Sequence, residues 1–225
     1  MSQFCKPITS RYICKQKEYE MAGTLQLLQT LNARVCHDLA GSIGIIDNCL
    51  DLLDTKDKSI SQKAKSLVNT ESGNLVKKIK IFRSVYGRSD GEKEMSAVYL
   101  TKLMKDFFDG NGIKPKLYFE DGVIFLDAHI AKASICLTIL ASENIHSNGT
   151  IDLFFSKDNV IKIIANDRNL NLRKDNLDVL KRSGKIPITV NNCREHYVNI
   201  LCDKSAYDLI FDEKEDSFRF SLVRR

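Results

Sequence analysis

Residues 17–54 read KEYEMAGTLQLLQTLNARVCHDLAGSIGIIDNCLDLLD, and the spacing of their apolar residues decides the fold of the first half of the chain. Apolar residues recur at steps of three and four over more than three heptads, which is typical of coiled coils and helix bundles. They are Leu25, Leu28, Leu31, Val35, Leu39, Ile46, Cys49 and Leu53. The pattern predicts one long amphipathic helix from about residue 17 to residue 54.

A second apolar stripe predicts another helix from about residue 60 to residue 86. The polar segment 55–59 predicts a turn, with Ser59 as the N-cap of the second helix and Gly87 at its end. Two long helices joined by a short turn form an antiparallel hairpin, which we assign to residues 17–88. Residues 1–16 contain few periodic apolar positions and are predicted to be a tail.

The apolar stripes of the hairpin need further cover, because two amphipathic helices cannot bury both stripes by themselves. A second hairpin from an identical chain would complete a four-helix bundle, so we expect a homodimer. Packing of the hairpin against the rest of the same chain is the alternative.

The pattern changes after the polar segment 87–94 (GRSDGEKE), and residues 95–225 are predicted to form a second domain. Strands in pairs, mixed with helices, predict a two-layer α/β sandwich, so the whole chain is expected to be of the α+β class. Helices are predicted over residues 96–108, 127–146, 172–182 and 192–204, and strands over residues 116–119, 150–155, 160–165, 207–211 and 218–223.

Composition narrows the classes of function. The net charge of +5 includes no long basic block, so we expect no nucleic-acid partner. No stretch approaches the roughly 18 to 20 apolar residues of a membrane span, and residues 1–20 lack the apolar core of a secretory signal, so a cytoplasmic protein is expected. The seven cysteines contain no CxxC pair. Reduced, buried thiols are expected, Cys36, Cys49 and Cys136 among them, and no metal site.

His37 lies on the opposite side of the first predicted helix from most of its apolar stripe, at about 100° per residue. A solvated face would normally carry Lys, Glu or Gln, and each glycine inside a helix costs about 1 kcal/mol relative to alanine. The face of His37 instead carries Ala33, Ala40, Gly41, Gly44 and Asn48. This pattern indicates a docking surface around an exposed imidazole, whereas the position in the helix alone favours an ordinary surface histidine.

The chemistry of an imidazole suits such a surface. Its neutral form can attack the phosphorus of an aspartyl phosphate and hold the phosphoryl group as a phosphoramidate. Asp38 could accept a hydrogen bond from Nδ1–H, which would fix the tautomer and leave Nε2 for the attack. Arg34, one turn earlier, could contact the phosphoryl group or an acidic pocket of the partner, or simply be solvated. A partner receiver domain would supply Mg²⁺, so this chain is expected to bind no cofactor.

Residues 33–39 (ARVCHDL) resemble the H-box of sensor histidine kinases, in which His-Glu or His-Asp precedes an apolar residue. Residues 34–39 with Gly44, Ile46 and 50–53 (LDLL), and residues 82–87 (FRSVYG), are similar to the histidine phosphotransferases of alpha-proteobacterial cell-cycle phosphorelays, the ChpT type. This resemblance covers about residues 24–223. It implies a homodimer in which each chain has a kinase-like dimerisation hairpin and a degenerate ATPase-like domain.

The sequence departs from active kinases and from the family at several positions. Ser42 stands where these proteins usually have proline, so a weaker helix kink is expected. Leu140 and Ala141 stand where an active kinase has its metal-binding Asn-Ala pair, and residues 165–169 (ANDRN) contain no glycine of the Asp-x-Gly-x-Gly box. The resemblance therefore implies that ATP-dependent autophosphorylation is lost and that the phosphoryl group arrives from another protein.

The sequence predicts a phosphotransferase that relays a phosphoryl group between response-regulator receivers. His37 and Asp38 are the predicted catalytic residues, and the predicted receiver contact comprises Ala33, Arg34, Ala40, Gly41, Gly44 and Asn48. Two other functions stay open at this point. One is an ATP-dependent histidine kinase, and the other is a non-catalytic adaptor that binds receivers through the hairpin.

Overall fold

The computed structural model describes residues 8–87, 93–110, 112–146, 148–168, 170 and 172–225, with side chains from residue 22 onward. Helices α1 (Ile8–Leu50) and α2 (Lys58–Tyr86) form the predicted antiparallel hairpin. Helix α1 begins nine residues before its predicted start, so residues 8–16 of the predicted tail are helical, and residues 1–7 lie outside the described residues. Between Pro7 and Gly23 the sequence has no glycine or proline that would interrupt the helical backbone.

The turn between α1 and α2 differs in detail from the prediction. Helix α1 ends at Leu50 rather than near residue 54. The N-cap of α2 is Asp57 rather than Ser59, because the Asp57 carboxylate accepts hydrogen bonds from the backbone N–H groups of Ser59 and Ile60. A carboxylate at this position also interacts favourably with the positive end of the helix dipole.

The second domain contains the remaining elements, in which strands, mostly in consecutive pairs, are mixed with helices. They are β1 (Glu94–Ser96), α3 (Ala97–Phe108), β2 (Lys116–Phe119), β3 (Phe125–Asp127), α4 (Ala128–Glu143), β4 (Thr150–Phe155), β5 (Val160–Asn166), α5 (Lys174–Leu180), α6 (Cys193–Lys204), β6 (Tyr207–Lys214) and β7 (Ser217–Arg224).

Five strands form one sheet in the order β2-β4-β5-β7-β6, in which β2 and β4 are parallel and the other pairs are antiparallel. Alternate residues of the central strands are buried, which places one face of the sheet against the helices. Strands β1 and β3 form a separate antiparallel pair that the sequence did not reveal, because three residues are too few for a period of two to stand out. The predicted helical hairpin followed by an α/β sandwich is confirmed.

Helix α4 is the centre of the second domain, since every residue from Ile130 to Ala141 is buried. The last turns of α2 join the same core through Ile81 and Val85, which are almost completely buried. The buried Lys132 of α4 donates a hydrogen bond to the carbonyl of Gly87 at the end of α2. The second domain therefore covers part of the apolar stripes of the hairpin. This is the packing within one chain that was the alternative to dimerisation.

The hairpin keeps an apolar surface in spite of this packing. Leu28 and Ile79 are 60% and 47% exposed, and they border a groove between α1 and α2. The groove is lined by Leu28, Leu31, Val35, Leu39, Ile79, Phe82, Tyr86 and Tyr197, among others. In the described part of the chain, no helix is both long enough and apolar enough to cross a membrane.

Candidate functional site

His37 projects from the middle of α1, and its side chain is 83% exposed. A Cβ added at Gly41 or Gly44 would meet no atom within 4 Å, so no packing contact inside the chain requires glycine at either position. The other small or polar residues that we predicted around His37 also lie at the surface: Ala33, Ala40, Gly41 and Asn48 are exposed, and Gly44 is half-buried. The structure thus has an open surface around the imidazole.

The carboxylate of Asp38 lies between the imidazole and a guanidinium group. Its Oδ1 is 3.4 Å from Nδ1 of His37, and its Oδ2 accepts a hydrogen bond of 3.1 Å from Nε of Arg34. Nε2 of His37 has no hydrogen-bond partner among the residues that the structure describes. This geometry fits the predicted tautomer, in which Nδ1 carries the proton and Nε2 carries the lone pair.

Arg34 is the point where the second domain reaches the site. Its Nη2 donates to Oε1 of Glu143 at 3.2 Å, and its Nη1 donates to the carbonyl of Val190 at 3.3 Å. The other oxygen of Glu143 accepts a hydrogen bond of 2.8 Å from Nη1 of the buried Arg194. The sequence predicts that Arg34 contacts a receiver or solvent, and it does not point to Glu143 or Arg194, because the three side chains meet only where the two domains pack.

Ser42, which stands where the proteins that the sequence resembles usually have proline, is buried against α2. Its hydroxyl accepts a hydrogen bond of 2.9 Å from Nζ of Lys78, and the same Nζ donates to the carbonyl of Asp38 at 3.2 Å. Helix α1 is continuous through this position. Lys78 therefore links α2 to the turn of α1 that carries His37, a contact that the helical periodicity of α2 did not reveal.

A buried ionisable cluster lies behind the site, where α2, α4 and α6 meet. Burial raises the pKa of Glu195 to about 7, and the neighbouring Arg194 only partly opposes this effect. Burial also raises the pKa of the Cys136 thiol to about 12, so this cysteine is an unreactive core residue. Cys49, Cys193 and Cys202 are buried as well, whereas Cys36 is exposed. The prediction for Cys36 was wrong, because it lies beside the apolar face of α1 rather than on it.

The residues that the sequence resemblance aligns with a kinase nucleotide site make contacts within this chain. Leu140 and Ala141 are buried in the core. Asp167, which follows β5, accepts hydrogen bonds from the backbone N–H of His146 and pairs with Nδ1 of the same residue at 3.1 Å. Within the described residues, no cluster of three or more His, Cys, Asp or Glu side chains could hold a metal ion.

No family model matches the sequence, and no match was found among curated proteins. A solved structure described as a bacterial phosphotransferase has a TM-score of 0.76 at 18% identity, covering 88% of this chain and 96% of that chain. The two proteins share a fold.

Histidine kinases resemble the chain less closely. The kinase domain of the blue-light activated histidine kinase of Erythrobacter litoralis EL346 has a TM-score of 0.43 at 9% identity, covering 81% of this chain and 93% of its own. AdeS of Acinetobacter baumannii has a TM-score of 0.43 at 14% identity, covering 83% of this chain and 95% of its own.

Proposed function

We propose that this protein is a histidine phosphotransferase of the ChpT type, which relays a phosphoryl group between receiver aspartates through His37. The observation that carries the proposal is an imidazole that is 83% exposed, with Asp38 at Nδ1 and an open surface around it. The shared fold with a bacterial phosphotransferase supports the same class of reaction.

The reaction that this geometry favours is an in-line displacement at phosphorus. The lone pair of Nε2 attacks the phosphorus of the aspartyl phosphate, and the N–P bond forms as the bond from phosphorus to the carboxylate oxygen breaks. The carboxylate of the receiver leaves with the electron pair. Nδ1 keeps its proton, so the ring gains positive charge, and Asp38 faces that charge. Mg²⁺ and the remaining carboxylates belong to the receiver.

A second step returns the protein to its starting state. The carboxylate of another receiver attacks the phosphohistidine, and the N–P bond breaks with its electrons returning to Nε2. No nucleotide takes part in either step, in agreement with the core packing of Leu140 and Ala141 where kinases bind the metal of ATP.

We further propose a homodimer that pairs the apolar grooves of two hairpins. At about 100° per residue, Leu28 and Leu39 lie on the opposite side of α1 from His37. A dimer formed through the groove would therefore cover exposed apolar area and leave both imidazoles accessible. In such a bundle each histidine would face outward on its own side.

The decisive experiment is a phosphotransfer assay with receiver domains that carry radioactive phosphate on their aspartates. We expect the chain to become labelled and to pass the label to a second receiver, and the His37→Ala variant to show no labelling. His129→Ala is the matched control, because His129 is also partly exposed but lies in α4 of the second domain. Full relay by the His37→Ala variant would contradict the proposal.

Two further outcomes separate the alternatives. Labelling of His37 by radioactive ATP, with the purified chain alone, would identify an ATP-dependent kinase. Formation of a stable complex with receivers, without any transfer of phosphate, would identify an adaptor.

A further inference from the structure

The structure assigns Arg34 and Glu143 as positioning residues that couple the second domain to the imidazole of His37. This inference rests on the proposed function, in which His37 is the phosphoryl acceptor. It gives the second domain a part in the chemistry although its nucleotide motifs are absent from the sequence.

The guanidinium group of Arg34 has acceptors on both domains. Nε binds Asp38 of its own helix, whereas Nη1 and Nη2 bind the carbonyl of Val190 and the carboxylate of Glu143. The Arg34 side chain is only 22% exposed. Because acceptors hold it in three directions, the guanidinium group of Arg34 has a fixed orientation, unlike that of a mobile surface arginine. It therefore fixes Oδ2 of Asp38 and leaves Oδ1 facing Nδ1 of His37.

Glu143 is itself held from behind. It is the last residue of the buried helix α4, and its Oε2 accepts from Arg194, whose side chain is 6% exposed. Glu143 thus stands between two guanidinium groups, one at the hairpin and one in the domain core. The charges alternate along the series from Asp38 through Arg34 and Glu143 to Arg194, so each group favours the orientation of the next.

The expected consequence concerns the tautomer and the reactivity of His37. When Asp38 is held, the Nδ1–H tautomer is favoured, and Nε2 keeps the lone pair that attacks phosphorus. When Arg34 is released, Asp38 can rotate away, and the ring loses the partner that sets its tautomer. Undocking of the second domain would have the same effect, because Val190 and Glu143 would leave with it.

The test is a double-mutant cycle of Arg34→Gln and Glu143→Gln. Two quantities are measured for each protein, the Nδ1–H fraction of His37 from ¹⁵N chemical shifts, and the initial rate of phosphotransfer from a labelled receiver. We expect each single variant to lower the Nδ1–H fraction and to slow transfer about three- to ten-fold. The double variant should be no slower than Arg34→Gln alone, because Glu143 acts through Arg34.

The controls separate positioning from general loss of structure. Asp212→Asn removes the exposed ion pair with Arg219 at the sheet and should change neither quantity. Arg34→Lys keeps the positive charge and leaves the buried Arg194 paired with Glu143. It should still lower the Nδ1–H fraction of His37, because lysine lacks the planar guanidinium group whose N–H donors bind Asp38, Val190 and Glu143 together. This variant tests whether Arg34 sets the tautomer of His37 even if Glu143→Gln fails to fold.

Two results would overturn the inference. One is an unchanged tautomer in Arg34→Gln and Arg34→Lys. The other is a double variant whose loss of rate is the product of the two single losses. The tautomer measurement needs no receiver, so it stands even if the phosphotransfer assay shows that His37 is not a phosphoryl acceptor.

Discussion

Asp38 has two oxygens, and each has a different neighbour: Oδ1 faces His37 and Oδ2 accepts from Arg34. An asparagine has only one acceptor oxygen and can satisfy one of these neighbours at a time. We therefore expect Asp38→Asn to slow phosphotransfer about 10- to 100-fold while the protein stays folded. The rate is measured in single turnovers with a labelled receiver. A rate within twofold of the native protein would exclude a role for Asp38 in orienting the ring.

Glu195 gives a prediction about stability and pH. Its pKa is raised to about 7 by burial, from an ordinary value of 4.5. In the unfolded chain the carboxyl ionises at lower pH than in the folded protein. Stability is therefore lost as the pH rises from about 4.5 to about 7, and the full loss persists at higher pH. The glutamine of Glu195→Gln cannot ionise. The free energy of unfolding of this variant should therefore exceed that of the native protein by roughly 2–3 kcal/mol at pH 8 and by almost nothing at pH 4.5.

Urea unfolding at the two pH values measures this difference. Glu213→Gln is the matched control, because Glu213 is exposed on β6 and its removal should not alter the pH dependence. A Glu195→Gln variant with the same pH dependence as the native protein would show that the buried carboxyl does not titrate with a raised pKa.

At the scale of elements, α1 has a glycine beside His37 that lowers the stability of the helix but leaves room for a docking partner. Gly41 lies one turn after His37, and a Cβ there would meet no atom of the chain. Gly41→Ala should therefore stabilise the protein by about 0.5–1 kcal/mol. If receivers dock closely on this face, the same methyl group should weaken receiver binding severalfold. Thermal unfolding and receiver titration measure the two effects.

Gly23 offers a control within the same helix. A Cβ at Gly23 also meets no atom within 4 Å, and this residue lies fourteen positions, about 20 Å, before His37. Gly23→Ala should bring a similar gain in stability and leave receiver binding unchanged. Equal effects of the two variants on receiver binding would show that Gly41 has no special part in docking.

For the whole molecule, the apolar groove between α1 and α2 predicts the oligomeric state. Ile79→Glu places a charge on this groove, which the proposed dimer would bury, so we expect a monomer by sedimentation at micromolar concentration. Ile124→Glu changes an equally apolar, exposed residue of the second domain and should leave the dimer intact. A native protein that sediments as a monomer at all concentrations would contradict the proposed dimer.

The sequence by itself determined the elements with long, regular patterns. The period of 3.6 residues in α1 and α2 and the alternation in β4 and β5 predicted the hairpin and most of the sheet, because these patterns arise inside one element. The same periodicity predicted that His37 faces away from the apolar stripe, and its side chain is exposed. Periodic patterns could not predict short elements such as β1 and β3 or the exact ends of α1.

Only the tertiary structure decided what surrounds the imidazole. Glu143 and Val190 lie 109 and 156 positions after Arg34 in the chain, and no local pattern links residues so far apart. Arg34 looked like a solvated or partner-binding cation because helical periodicity describes one helix at a time. Packing of α4 and of the turn before α6 against the hairpin supplied two of its three acceptors, since a hydrogen bond depends on distance in space and not on distance along the sequence.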